Sequence, residues 1–214
     1  ETIYLIDLNE IFYPFGSNEI FSDRNWYFAH CRLSIQGLKV LTDALLVVTS
    51  RLFSAPSKVL VLDCDNTLWG GVVGEDGVKG IILGQDGIGT AYVDFQKEIV
   101  RLTNNGVVVV LASKNNDRDV WDVFDHHDEM KLKRDHIVTS KINWNEKAFN
   151  VQEIAKELDL GLDSFVFWDD NPLERDKMKT LLPQVQTLDV PEEVIKWPRL
   201  LKKLSSFAKF KITE

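Results

Sequence analysis

A chain of 214 residues that is 44% hydrophobic carries enough apolar material for one α/β domain with a modest extension, and its composition is not that of a disordered segment. The formal net charge of −8 disfavours a non-specific grip on nucleic acid or on an anionic membrane, both of which attract positive charge. Cys31 and Cys64 are too few for a disulfide framework and point to the reducing cytoplasm, while no apolar run exceeds the six residues 107–112, so no segment is expected to span a bilayer. No cleavable signal pattern opens the chain, and Glu1 in first place is what a segment of a longer polypeptide, or a processed tag, would show.

In chain order, TIYLIDLNEIF reads as a strand-like start. The stretch SIQGLKVLTDALLVVTSRLF then places Leu38, Leu41, Leu45, Val48 and Leu52 on one helical stripe. Residues 1–57 are therefore expected to form an N-terminal extension packed on the core, ending in the SAPS linker at 54–57. Continuous apolar runs follow at 59–63 (VLVLD), 107–113 (VVVVLAS) and 165–170 (FVFWDD), the pattern of strands covered on both faces in a parallel sheet.

Helical patterns separate these runs. One carries Ala91, Phe95, Ile99 and Leu102 and closes at Gly106; another starts near Asn116 with Val120 and Phe124; a third carries Ala148, Val151, Ala155 and Leu158 and stops at Gly161. Residues 58–190 thus read as an α/β core, a doubly wound parallel sheet with helices on both faces, whose ligands gather beyond the carboxyl ends of the strands. Eight of the twelve glycines, at 70, 71, 74, 77, 80, 84, 87 and 89, predict a turn-rich hairpin flap over about 66–89. Residues 191–214 form a basic helical segment with Lys196, Arg199, Lys202, Lys203, Lys209 and Lys211, read either as a solvated face or as a docking face for an acidic partner.

The chemistry concentrates where the apolar runs end. Residues i and i+2 of a strand point to one side, so Asp63 and Asp65 share a site, and two carboxylates that close call for a hard cation such as Mg²⁺. Asp169 and Asp170 end another strand, Ser113 ends a third, and Lys147 opens a helix. A nucleophilic carboxylate, a hydroxyl, an ammonium and Mg²⁺ suit phosphoryl transfer, which needs in-line positioning and neutralisation of anionic oxygens. Asn115, Asn116 and Asn171 flank these positions as candidate hydrogen-bond donors or helix caps, and Trp69 and Trp144 as candidate walls of the site or as core. His126 and His127 are adjacent and lack companions at ligand spacing, which argues against zinc.

DCDNT, then LASKN, then a lysine, then WDDNP, in that order, resembles the haloacid dehalogenase (HAD) superfamily, whose Rossmannoid fold and phosphotransferase chemistry are thereby implied. By the resemblance Asp63 is the nucleophile and Asp65 the general acid/base. Ser113 and Lys147 hold the phosphate, with Asn115 beside them; Asp63, the backbone carbonyl of Asp65, and Asp170 bind Mg²⁺, with Asp169 close by. The segments DCDNTLWGGVVGEDG, LASKNN and LGLDSFVFWDDNPLERD look like the FkbH-like branch. Those enzymes, stand-alone or as domains of polyketide synthases, dephosphorylate D-1,3-bisphosphoglycerate and load the glyceryl unit onto the phosphopantetheine arm of an acyl carrier protein.

With no room for an inserted cap domain, only the flap covers the site, and a carrier arm could enter. Cys64 then has two readings: a thiolate that carries the acyl group as a thioester, or a small core residue pointing away from the side that Asp63 and Asp65 share. Two other functions stand beside the transferase, a plain Mg²⁺-dependent phosphomonoesterase and a non-catalytic carrier-docking module.

Overall fold

The structure, a computed structural model, describes residues 6–53 and 56–207. The chain divides between Ala55 and Pro56 into two compact units.

The first unit is helical: α1 (Leu8–Phe12), α2 (Ser17–Ile20), α3 (Asp23–Ala29) and α4 (Ile35–Phe53). The strand expected at the start is replaced, within the described residues, by α1, because the Asp7 carboxylate accepts from the amides of Asn9 and Glu10 and caps a helix. Residues 1–5 of that stretch lie outside the described residues. In α4 the inward face is rotated from the predicted stripe. Gly37 is buried and Val40, Leu41, Ala44 and Val48 are half-buried, while Leu38 and Leu45 are exposed; the side chain of Leu52 lies outside the described residues. Gly37 sets this rotation, since a β-carbon there would collide with the backbone carbonyl of Ile20.

The second unit alternates strands and helices. In order these are β1 (Val59–Leu62), α5 (Val73–Gly80), α6 (Ile88–Asn104), β2 (Val108–Ser113), α7 (Asp117–His126), β3 (Ile137–Ile142), α8 (Lys147–Leu158), β4 (Phe165–Trp168), α9 (Pro172–Leu181), β5 (Gln186–Thr187) and α10 (Trp197–Lys203). The sheet has order β3-β2-β1-β4-β5 and every pairing is parallel, the α/β architecture expected. The chain leaves β1 toward β2 and β3 on one side and returns to β4 and β5 on the other, so the topological switch point lies between β1 and β4.

Alternation along each strand divides the core into two layers. Leu60, Leu62, Val109, Leu111, Val166 and Trp168 pack with α6, α7 and α10 on one face, where the rings of Phe95 and Trp168 lie 4.7 Å apart and Trp197 meets both edge-on. Val59, Val61, Val110, Ala112, Phe165 and Phe167 pack with α8 and α9 on the other. The described part of the basic segment, 191–207, lies in this unit: Trp197 and Leu201 turn inward while Lys202 and Lys203 stay exposed. Lys209 and Lys211 lie outside the described residues.

Two local predictions are corrected. The stretch 66–89 is not a hairpin. Its ends make one antiparallel bridge, Gly70 to Ile82, but the middle forms α5, whose first turn holds Glu75 and Asp76 at the positive end of the helix dipole, with a break at Gly77 (φ 67°). Helix α8 ends at Asp159 in the left-handed conformation (φ 53°) and not at Gly161. No described helix is long and apolar enough to cross a membrane.

Gln96 joins the covering helix to the loops around it. Fully buried on α6, it donates to the Leu68 carbonyl (2.8 Å) and accepts from the amides of Lys131 (2.8 Å) and Leu132 (3.0 Å). Gln96→Leu leaves one carbonyl and two amides buried without partners, and a loss of about 3 kcal/mol is expected in urea unfolding, at roughly 1–3 kcal/mol per group.

Candidate active site

Register builds the centre. Leu62 pairs with Trp168 on β4 and with Leu111 on β2, so the next residues, Asp63 and Asp169, emerge side by side at the carboxyl end of the switch point. The same alternation that assigns Val59 and Val61 to the α8/α9 layer sends Asp63 to that side, where Lys147 opens α8. The Lys147 ammonium lies 2.9 Å from Asp63 Oδ2 and 2.6 Å from Asp169 Oδ2, in a site where Lys147 is 4% exposed and Asp169 0%.

Asp63, Asp169 and Asp170 offer carboxylate oxygens within 4.8 Å of one another. If all three are ionised, one ammonium leaves two negative charges in excess, the charge of a divalent cation, and oxygen donors suit a hard one. Asp170 is aimed into the cluster by its neighbours. The Thr67 hydroxyl donates to Asp170 Oδ1 (3.1 Å), and the Arg175 guanidinium donates to the backbone carbonyls of Asp169 (2.8 Å) and Asp170 (2.6 Å). Asn171 caps α9 by accepting from the Leu173 amide, as a capping turn predicts, and Asp169 Oδ1 accepts from the Asn171 amide.

Burial, then the charge of Asp63, pushes the Asp169 carboxyl up to about 7 despite Lys147. The same two causes raise Asp170, opposed by its bond from Thr67. Burial works against the Lys147 charge, but Asp63 and Asp169 outweigh it and hold the ammonium above its ordinary range.

Asp65 stands apart from the cluster. Its Oδ1 accepts from the Trp69 indole (2.9 Å) and the Val73 amide (3.0 Å), and its Oδ2 from the Asn115 amide (2.7 Å). Burial raises its pKa, opposed by these bonds and reinforced by Asp63. Asn115, expected beside the phosphate, donates to Asp65 and accepts from the Asn116 amide (2.8 Å). The Trp69 ring is core, edge-on to Phe124, but its N–H reaches the site, so the two readings of Trp69 merge.

Cys64 falls on the opposite face of the chain from Asp63. It is 0% exposed among Leu60, Leu62 and Leu111, beside Ser113 at the end of β2. Burial and then Asp63 raise the thiol well above its ordinary pKa; a hydrogen bond from Ser113 opposes them. Ser113 is itself buried.

Around the centre, Lys114 lies 3.2 Å from both Glu146 and Glu174, and Lys177 lies 3.1 Å from Glu146 and 3.4 Å from Glu174. This four-charge clasp ties together the segments that follow β2, β3 and β4. The clasp was not predicted, because residues 31, 32 or 60 positions apart in sequence meet only once the sheet is assembled; Arg175, whose partners lie 5 and 6 positions away, was missed as well. Trp144 is exposed, its indole 3.4 Å from Asn116 Oδ1. His126 and His127 join no metal-ligand cluster; among the described residues the Asp63, Asp169 and Asp170 group is the one found.

The fold is the HAD-like Rossmannoid fold, and solved structures share it. The N-terminal part of the protein BF1531 from Bacteroides fragilis, described as containing a phosphatase domain complexed with Mg, superposes with a TM-score of 0.85 at 34% identity, over 94% of this chain and 54% of that one. This chain thus spans about half the length of the solved chain. No family model matches the sequence, nor does any curated protein. Fold, motif order and neighbour together support the haloacid dehalogenase superfamily; the FkbH-like branch is a finer matter.

The buried ion pairs make a stability prediction. Lys147→Met strands carboxylates that have lost their cation, at a cost of about 3–5 kcal/mol near pH 8 without added metal. Because the folded-state pKa of Asp169 lies above its unfolded value, its protonation favours the folded form as pH falls through about 7. The deficit of Lys147→Met should therefore shrink from pH 8 to pH 5, measured by urea unfolding against the wild type.

Proposed function

We propose that the chain is a Mg²⁺-dependent phosphohydrolase of the HAD type that acts on a small phosphorylated molecule. One observation carries the reading: at the carboxyl end of a parallel sheet, Asp63 is held 2.9 Å from a buried ammonium and within 4.8 Å of two further carboxylates. The solved neighbour, a phosphatase domain complexed with Mg, supports it.

In this reading an Asp63 oxygen attacks phosphorus, forming an aspartyl phosphate as the bond to the leaving oxygen breaks, and Asp65 gives that oxygen its proton. Water then attacks the phosphorus of the intermediate, Asp65 takes the proton, and Asp63 is released with inorganic phosphate. Burial, which raises Asp65, suits the donor role. Lys147 holds Asp63 in place and would face the phosphoryl oxygens; motif order gives Ser113 to the same oxygens, a role for which its hydroxyl, hydrogen-bonded to the Cys64 thiol, would have to turn. We assign Asn115 to orienting Asp65, on the strength of its 2.7 Å bond. Asp63, Asp170 and the Asp65 carbonyl, with Asp169 behind them, would hold Mg²⁺, which would supply neutralising charge at the phosphoryl group.

A second, finer reading is glyceryl loading from D-1,3-bisphosphoglycerate onto an acyl carrier protein in polyketide biosynthesis. The FkbH-like segments support it, as does the lack of an inserted domain between Asp65 and Thr90 or between Ser113 and Lys147. Full burial and a raised thiol pKa make Cys64 a poor relay for the acyl group, and we assign it to packing.

Asp63→Asn should lower phosphate release from acetyl phosphate or a small monoester roughly a thousandfold or more while the protein stays folded. Unchanged turnover would end the phosphatase reading, and an effect on stability alone would favour a docking module. Mg²⁺ at a hundred times its Kd should stabilise the wild type by about 2.7 kcal/mol in thermal unfolding, and Asp170→Asn should remove most of that gain. Cys64→Ala should keep phosphate release within about twofold and cost about 1–2 kcal/mol of stability. A glyceryl adduct on the wild type, seen by intact-mass measurement and missing from Cys64→Ala, would overturn the packing assignment.

A further inference from the structure

Three of the chain's tryptophans, Trp69, Trp168 and Trp197, are almost wholly buried, whereas Trp144 is 71% exposed, so packing does not account for its place. It lies on the short loop between β3 and α8, two residues past a strand end and three before Lys147. That loop is rigid. The Asn143 amide donates to the Ser113 carbonyl (3.0 Å), and the Asn143 side chain accepts from the Asn145 amide (2.9 Å) and from the Asn150 side chain (2.9 Å).

The indole N–H is 3.4 Å from Asn116 Oδ1, the Asn116 amide donates to Asn115, and Asn115 donates to Asp65. A continuous run of polar contacts thus links an exposed aromatic ring to the group assigned to protonate the leaving oxygen. The loop and helix starts that follow β3 and β4 expose two more large apolar side chains, Phe149 (51%) and Leu173 (68%).

We infer that Trp144 is a specificity-determining residue: its indole face receives the apolar or aromatic part of the substrate's leaving group, and selects phosphorylated molecules that carry one. The inference rests on the phosphohydrolase reading for the location of the phosphoryl group. An aromatic ring on a hydrogen-bonded loop can bind a flat group at little further cost in ordering. Aromatic contacts of this kind are dominated by apolar area and ring geometry, so phenylalanine should substitute in part.

The test uses the full chain with Mg²⁺ and two ligands that cannot be hydrolysed, 1-naphthylmethylphosphonate and methylphosphonate, titrated into wild type, Trp144→Ala and Trp144→Phe. Trp144→Ala should weaken the naphthyl ligand about tenfold and methylphosphonate less than twofold, and Trp144→Phe should recover most of the difference. Equal losses for both ligands, or no loss for the naphthyl one, would overturn the assignment. Phosphate release from 1-naphthyl phosphate, followed in parallel, separates the two readings. Naphthyl selectivity that depends on Trp144 without any hydrolysis sinks the phosphatase and keeps the platform, whereas hydrolysis with selectivity indifferent to Trp144 does the reverse.

Discussion

The buried ammonium of Lys147 is the interaction on which the rest of the centre depends. Asp63 and Asp169 arrive on neighbouring strands whose spacing is fixed by backbone pairing, about 4.8 Å, and two ionised carboxylates at about that separation in a buried crevice repel strongly. Removing Lys147 from water costs free energy that contact with only one carboxylate would not recover. Two contacts, at 2.6 and 2.9 Å, make the arrangement stable with a net negative charge left over. That residual charge is what invites a divalent cation, so the same lysine that permits the acidic cluster also limits how many cations it holds.

The sheet decides which side chains take part. Because successive residues along β1 face opposite layers, Asp63 turns toward α8 while Cys64 turns into the layer under α6, so a member of the acidic cluster has a core residue as its neighbour. The parallel register also means that no single loop makes the site. Asp63, Lys147 and Asp169 follow three different strands, β1, β3 and β4, whose places are fixed by backbone pairing.

Much of this was legible in the sequence, and for a physical reason. Buried parallel strands must be apolar throughout, so VLVLD, VVVVLAS and FVFWDD announce themselves, and the polar residues that end them are the ones that reach the crevice. The glycine-rich stretch after Asp65 was misread because glycine marks turns without saying what lies between them; the acidic pair Glu75 and Asp76 at a helix start was the better signal. On α4 the predicted Leu41 and Val48 do turn inward, but Leu38 and Leu45 miss the contact face by one position because a buried glycine, invisible to a hydrophobic pattern, marks it. Asn115, Thr67 and Arg175 take their places through partners 50, 103 and 5 or 6 positions away, and of these Arg175 alone has neighbours close enough in sequence to have been suspected.

The clasp of Lys114, Glu146, Glu174 and Lys177 has an evolutionary reading. It joins the segments that follow β2, β3 and β4 through partly exposed charges, and a change in any one of these side chains removes contacts to two others. Trp144 sits on the same loop as Glu146 yet points to solvent with a single weak polar contact. The loop thus couples an anchored residue with one free to vary, and descendants of this chain can acquire a new preference at the rim while inheriting the interior intact.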